Sequence, residues 1–259
     1  MSLFRAVAAG LLGVSLLSGA AHADALNDIL KAKVLKVAVP QDFAPFGSAG
    51  PDLKPQGLDV DMANYIAEQL GVKAEIIAVT SANRIPYLQT KKADLVISSL
   101  GKNAEREKVI DFSNAYAPFF SGVFGTNAVA VAKIEDLAGK TIGATRGAIE
   151  EQEITKNAPK DTTIKRYEDN NATIAAFVSG QVDLIATGNV VAAAITEKNP
   201  ARPAVTKFIM KESPCYVGLN KEEPALKAKV NEIIAKAKAD GTLNKFSQKW
   251  LKNPLPAGF

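Results

Sequence analysis

The stretch DLVISSLGKNAEREKVIDFS, residues Asp94 to Ser113, decides how the rest of the chain is interpreted. Its apolar run, residues 95–97, predicts a short buried strand. The run gives way to the small polar residues Ser98, Ser99 and Gly101. We therefore expect polar groups to gather at the C-terminal end of this strand.

A helix with a cation in its first turn is predicted directly after that strand. Asn103 suits the N-cap, and Glu105 and Arg106 follow in the first turn, where backbone N–H groups lack helical partners. A guanidinium can hold a carboxylate bidentately, and each charge-assisted hydrogen bond contributes roughly 1.5–3 kcal/mol. Arg106 is the first candidate for binding an anion, although an ordinary solvated helix start would give the same pattern.

Several further segments support a family resemblance. The chain resembles the periplasmic amino-acid-binding proteins of ABC importers, bacterial solute-binding protein family 3, over nearly all of its length after the N-terminal leader. The order and spacing of the segments carry the resemblance more than any one of them. They are APF at 44–46, GLDVDMANYIAEQLGV at 57–72, NRIPYL at 83–88, the FS-x-x-Y stretch of Phe112, Ser113 and Tyr116, and DLAGKTIGATRG at 136–147.

Strand and helix patterns alternate along the chain, which predicts a parallel α/β sheet with ligands beyond the C-terminal strand ends. Residues 40–57 are expected to form a loop and residues 128–131 a strand. The family resemblance implies the topology: a two-lobe periplasmic-binding-protein type II fold with two hinge crossings and the ligand in the interlobe cleft. Lobe 1 would comprise 24–117 and 212–259, and lobe 2 would comprise 118–211.

The N-terminus is typical of a secretory signal peptide. Arg5 precedes an apolar stretch at 6–17, and Ala21, His22 and Ala23 form an A-x-A cleavage site, so residues 1–23 are expected to be removed. The alternative is a retained membrane anchor, but the stretch is shorter than the roughly 20 residues that span a bilayer. No cysteine follows the small residues, so we expect a periplasmic protein without a lipid anchor.

Composition narrows the possible functions. His22 is the only histidine and would leave with the leader, which argues against Ser-His-Asp catalysis and imidazole metal sites. Cys215 is the only cysteine and is expected to be buried. The formal charge of +4 is dispersed among acidic residues, so no nucleic-acid partner is expected. No cofactor or metal is expected, and a monomer is anticipated.

The resemblance implies ligand contacts from the first lobe. Beside Ser98, Ser99, Gly101 and Arg106, these are Phe43 as an aromatic wall, and Ser81 and Arg84 after the second strand. Burial against Phe46 remains an alternative for Phe43. For Arg84, contact with a ligand side-chain carboxylate and a structural role in bracing the loop both remain open.

The second lobe is expected to contribute the turn of Thr145, Ala148, Ile149 and Glu150, whose backbone N–H groups would face the ligand carboxylate. Relatives commonly carry an aspartate for the ligand ammonium where this chain has Gly188. Glu150, or Asn189 through its amide oxygen, could substitute, because an ammonium buried without an acceptor costs several kcal/mol.

The function expected from these observations is that of a receptor, not an enzyme. It would capture a polar amino acid or a similar small carboxylate and deliver it to an ABC transporter permease. The alternative is an exported dehydratase or lyase on the same scaffold, with Glu150 or Glu151 as a general acid in the cleft.

Overall fold

The computed structural model describes residues 25–259, and the predicted signal peptide lies outside them. The first part of the chain forms strands and helices in alternation. Its helices are α1 (Ala25–Ala32), α2 (Leu58–Gln69), α3 (Arg84–Gln89) and α4 (Ala104–Val109). Its strands are β1 (Val34–Pro40), β2 (Asp42–Phe43), β3 (Gly47–Ala49), β4 (Pro55–Gln56), β5 (Lys73–Val79), β6 (Leu95–Leu100) and β7 (Asp111–Ala117).

The chain then builds a second unit and returns to the first. The second unit has strands β8 (Phe120–Gly125), β9 (Thr141–Thr145), β10 (Thr163–Tyr167), β11 (Leu184–Gly188) and β12 (Val205–Glu212), helices α5 (Ile149–Asn157), α6 (Asn170–Val178) and α7 (Asn189–Lys198), and a 3₁₀ helix at Ile134–Leu137. The returning segment contains β13 (Cys215–Leu219), α8 (Pro224–Ala239) and α9 (Thr242–Leu251).

Two five-stranded sheets define two lobes. The first has the order β5-β1-β6-β13-β7 and the second the order β10-β9-β11-β8-β12. The chain passes between them at residues 118–119 and again at 213–214, and the N–H of Ser213 donates to the carbonyl of Phe119 at 2.9 Å, which ties the two crossings together. This two-lobe α/β architecture is the expected fold class.

The alternating pattern had predicted parallel sheets, but both sheets also contain antiparallel strands. β13 runs antiparallel to β6 and β7, and β8 runs antiparallel to β11 and β12. The parallel strands end at the face between the lobes, whereas β8 and β13 are the first strands after each crossing and begin at that face. They must therefore run in the opposite direction.

Two local predictions were wrong. The segment 40–57 contains a small antiparallel sheet, β2-β3-β4, instead of an irregular loop. Residues 128–131 form no strand. Strands of two or three residues carry too little periodicity to be recognised in a sequence.

The apolar core is continuous through the contact between the lobes. Phe43 and Phe46 of the first lobe belong to the same buried cluster as Phe119, Phe177 and Val191. Helix α8 buries the apolar positions predicted for it, Val230, Ile233, Ile234 and Ala237. Among the described residues, no helix has the length and apolar character needed to cross a bilayer.

Candidate functional site

The turn from β6 to α4 holds Arg106 as the sequence predicted. The side chain of Asn103 caps α4 by accepting from the backbone N–H of Arg106 at 2.9 Å. The Arg106 side chain is only 3% exposed, and its Nη1 donates to the carbonyl of Gly101 at 2.6 Å. The guanidinium is therefore fixed at the C-terminal end of a buried strand, facing the second lobe.

Arg84 lies beside Arg106 and is 4% exposed. Its Nη1 donates to the carbonyl of Ser98 at 2.7 Å, so it contacts the end of β6, and both roles considered for Arg84 stay predictions. Burial lowers the pKa of both guanidinium groups, that of Arg106 to about 9, where the charge of Arg84 lowers it further. A guanidinium stays protonated in proteins, so two positive charges are buried side by side.

Both arginines reach the second lobe at one atom, the carbonyl oxygen of Gly147. Nη2 of Arg106 donates to it at 3.0 Å and Nη2 of Arg84 at 3.3 Å. Gly147 has φ +75°, and a Cβ there would lie 2.7 Å from the Cα of Ala82 in the first lobe. Only glycine allows both this conformation and this close approach.

The turn from β9 to α5 places the second-lobe residues predicted from the sequence opposite the arginines. Ala148, Ile149 and Glu150 are buried. The hydroxyl of Thr145 is already used, because its Oγ1 lies 2.7 Å from Oγ1 of Thr173. Burial raises the pKa of Glu150, against the lowering effects of its own backbone N–H, Arg84 and Arg106.

Five buried side-chain atoms at the contact between the lobes have no hydrogen-bond partner among the described residues. They are Oδ1 of Asp42, Nε of Arg84, Nε of Arg106, Oε1 of Glu150 and Oγ of Ser213. Buried polar groups are almost always paired, and an unpaired one costs about 1–3 kcal/mol. The two arginine donors, the Glu150 oxygen and the Ser213 hydroxyl match a small ligand that carries both a carboxylate and an ammonium group, whereas the Asp42 carboxylate already accepts from Asn170.

An aromatic cluster borders the site. Phe43 stacks on Phe46 with 5.9 Å between ring centroids, and Phe119 packs against both. A Cβ at Gly188 would lie 2.3 Å from the Phe119 ring. The ring therefore fills the space in which any side chain at position 188 would begin.

Other predicted residues lie at the edge of this region. Ser81 is half-buried, and its carbonyl oxygen lies 3.1 Å from the position a Cβ would take at Gly147. The Asn189 amide oxygen accepts from the N–H of Phe120 at 3.3 Å, which leaves Glu150 as the acceptor with a free oxygen. Arg146 pairs with Glu168 at the surface.

Asp59 supports the site from below and was missed by the sequence analysis. It is fully buried, and its carboxylate accepts from the N–H of Ser99 at 2.7 Å and from the hydroxyl of Tyr116 at 2.6 Å. Ser99 has φ +41°, so this bond holds the strand end in an unusual conformation. Burial raises the pKa of Asp59 to about 7 despite these donors and Arg84.

Two interlobe contacts flank the arginines and were also missed. Oδ2 of Asp42 accepts from the backbone N–H of Asn170 at 2.7 Å and from its side chain at 3.1 Å. Nδ2 of Asn103 donates to Oε1 of Gln152 at 2.8 Å. Among the described residues, no group of three or more His, Cys, Asp or Glu side chains could hold a metal ion.

Comparison with known proteins places this architecture in a family. The description "Bacterial extracellular solute-binding proteins, family 3" matches residues 35–253, which is most of the chain. The chain belongs to this family. The resemblance inferred from its motifs is therefore confirmed.

Named relatives bind amino acids. The chain is 28% identical to the L-cystine-binding protein TcyJ of Escherichia coli (strain K12), with 93% of each covered. The solved structure of the amino acid ABC transporter substrate-binding protein AbpA of Streptococcus pneumoniae, bound to L-arginine, is 31% identical with a TM-score of 0.79, and 87% of this chain and 98% of that one are covered. The ancestral amino-acid-binding protein AncCDT-1, a precursor of cyclohexadienyl dehydratase, is 31% identical with a TM-score of 0.79 and covers 87% of this chain and 99% of its own.

Proposed function

We propose that this protein is a periplasmic receptor that captures a polar α-amino acid between its lobes and delivers it to an ABC transporter permease. The observation that carries the proposal is the pair of buried guanidinium groups facing a buried Glu150 with a free oxygen. Its membership of family 3 and the amino-acid ligands of its named relatives support it.

The two ends of an amino acid have separate partners in this arrangement. Arg84 and Arg106 would hold the carboxylate, since two adjacent buried cations are stabilised by an anion between them. The ammonium would meet Oε1 of Glu150. The aromatic cluster of Phe43, Phe46 and Phe119 would border the ligand side chain.

Binding would be coupled to closure of the lobes. The two arginines are almost fully buried, so a ligand reaches them only when the lobes separate. Closure over the ligand would re-form the contacts at Gly147, Asp42 and Gln152, and the permease would recognise the paired lobe surfaces. Export through a cleaved leader, absence of a lipid anchor and a monomeric state complete the proposal.

A thermal-shift screen of residues 24–259 against the common amino acids, L-cystine and dicarboxylates tests this function. A ligand that binds only the folded protein raises the melting temperature by mass action. We expect at least one α-amino acid to raise it by several degrees, with the affinity then measured by calorimetry. Stabilisation by no α-amino acid would contradict the proposal.

A dehydratase or lyase is the second candidate, favoured by the raised pKa of the buried Glu150 and by the similarity to AncCDT-1. A general acid of this kind has to be protonated near neutral pH. Incubation of the protein with arogenate or prephenate, followed by chromatography of the products, separates the two candidates. The receptor proposal predicts no turnover of either compound, and turnover abolished by Glu150→Gln would establish the enzyme instead.

A further inference from the structure

Ser213 occupies a position that the sequence analysis did not single out. It lies in the second crossing between the lobes, its residue is 3% exposed, and its backbone N–H is bonded to the first crossing. Its hydroxyl has no hydrogen-bond partner among the described residues. A serine buried in this way is either a cost to the fold or a group reserved for a ligand.

The surroundings of the hydroxyl place it inside the proposed site. A Cβ built on Gly101 would lie 2.5 Å from Oγ of Ser213 and 2.9 Å from Cδ1 of Ile149. Gly101 is the carbonyl partner of Arg106, and Ile149 directly precedes Glu150. The hydroxyl therefore lies where the first-lobe turn, the second-lobe turn and the crossing meet.

We propose that Ser213 is a further ligand contact whose hydroxyl oxygen accepts a hydrogen bond from the α-ammonium group of the bound amino acid, beside Glu150. This inference rests on the proposed function. Of the five unpartnered atoms, the two arginine nitrogens can only donate and serve the carboxylate, and Oδ1 of Asp42 belongs to a carboxylate that already accepts two hydrogen bonds from Asn170. An ammonium offers three N–H donors, and Glu150 supplies one free oxygen. Beside the Glu150 oxygen, the hydroxyl of Ser213, where the two turns meet, can accept a second hydrogen bond from the ammonium.

The test compares amino acids with analogues that lack only the ammonium. Calorimetry on the wild type and Ser213→Ala would use L-arginine with δ-guanidinovalerate, and L-cystine with dithiodipropionate. We expect Ser213→Ala to lose about tenfold in affinity for the amino acid, in line with a hydrogen bond to a charged group. The affinity for the analogue should stay within twofold.

Two controls separate a ligand contact from a structural effect. The melting temperature of Ser213→Ala without added ligand should not fall, because the lost hydroxyl has no partner in the fold. Ser247→Ala removes an equally buried hydroxyl that is bonded to the carbonyl of Asn253, and it should leave ligand affinity unchanged.

Gly101→Ala provides a second, independent variant. The added methyl group displaces the Ser213 hydroxyl, so Gly101→Ala should also weaken amino-acid binding. Because both variants act on the same hydroxyl, the loss caused by Gly101→Ala should be severalfold smaller in the Ser213→Ala background than in the wild type. Equal losses for an amino acid and its analogue, or a loss below twofold for the amino acid, would overturn the role of Ser213. Where an analogue binds too weakly to measure, the loss for the amino acid decides alone. Failure of every α-amino acid to bind the wild type would instead overturn the proposed function itself.

Discussion

The two turns that form the site have the same local structure but present different chemistry. In each lobe a buried parallel strand ends at the interface and a helix follows within a few residues, β6 to α4 in the first lobe and β9 to α5 in the second. The first turn presents the guanidinium group of Arg106, and Arg84, at the start of α3, bonds to the end of β6 beside it. The second presents the carbonyl of Gly147 and the carboxylate of Glu150.

The turns also differ in how they are held. The first is fixed by side chains: Asn103 caps α4, and Asp59 accepts from the backbone of Ser99. In the second, Ala148 at the N-cap of α5 forms no side-chain cap, and the turn depends on the positive φ of Gly147. We expect the first turn to supply most of the binding energy and the second turn to control the fit between the lobes.

The largest effect is expected from the first turn. Arg106→Ala removes a buried cation with two hydrogen bonds, so we expect ligand affinity to fall at least 100-fold while the circular dichroism spectrum stays unchanged. Arg106→Lys keeps the charge but loses the forked geometry, so its ligand affinity should lie between those of the wild type and Arg106→Ala. Calorimetry measures all three.

Arg146→Ala is the matched control for that variant. Arg146 belongs to the second turn but pairs with Glu168 at the surface, so its removal should change affinity less than twofold. Near-wild-type binding by Arg106→Ala would show that the first turn does not supply the binding energy.

Gly147→Ala tests whether the second turn controls fit. The methyl group would meet the backbone of Ala82 in the other lobe, so closure should be impeded and affinity should fall roughly tenfold or more. Small-angle scattering with saturating ligand should then report a larger radius of gyration than for the wild type.

Gly139→Ala controls for backbone strain in the same lobe. Gly139 has φ +65°, close to that of Gly147, but a Cβ there comes no nearer than 4.0 Å to a neighbouring atom. Gly139→Ala should lower the stability of the fold without changing the radius of gyration of the liganded protein. Equal effects of the two alanine variants on affinity would mean that strain, and not contact between the lobes, is the cause.

Glu150→Gln probes the buried carboxylate of the second turn. We expect a loss of about tenfold for L-arginine and little change for δ-guanidinovalerate, because only the former has an α-ammonium group. Glu151→Gln, which alters the neighbouring carboxylate paired with Arg166, is the control and should leave both affinities unchanged. A similar loss for both compounds would remove Glu150 from the ammonium end of the site.

The same contrast explains what could be predicted from the sequence. The first turn is encoded locally: the end of the apolar run, the Asn103 cap and the first-turn position of Arg106 lie within nine residues of each other, so the strand and helix were predicted and are confirmed. The role of Arg106 in binding remains a prediction.

The parts that were missed depend on contacts between distant segments. Asp42 and Asn170 are separated by 128 residues, and nothing near either of them indicates the other. Tyr116, which donates to Asp59, lies 57 residues further along the chain, and the free hydroxyl of Ser213 takes its place only when the chain has crossed between the sheets. The antiparallel direction of β8 and β13 follows from the same crossings, which local periodicity does not contain.

The smallest effect concerns the support beneath the first turn. The pKa of Asp59 is raised from its usual value near 3.8 to about 7, so the folded protein binds a proton more tightly than the unfolded chain does. Stability from this group is present at low pH and is lost as the pH rises from about 4 to about 7, by at most about 1.4 kcal/mol per pH unit. Asp59→Asn keeps an acceptor for Ser99 and should lack this contribution. Urea unfolding at pH 4.5, 5.5 and 6.5 should therefore show the wild type losing stability relative to Asp59→Asn as the pH rises.

Asp61→Asn is the control for that series, because Asp61 lies two residues away and pairs at the surface with Lys249. The wild type should not lose stability relative to Asp61→Asn as the pH rises, in contrast to the loss expected relative to Asp59→Asn. The other carboxyl groups with a raised pKa, Asp42, Asp94 and Glu150, are present in every variant, so their contributions cancel in the differences. A constant difference between the wild type and Asp59→Asn across this range would mean that Asp59 does not change its protonation on folding. In that case the first turn would rest on a carboxylate that stays charged, and Arg84 would have to be the group that compensates it.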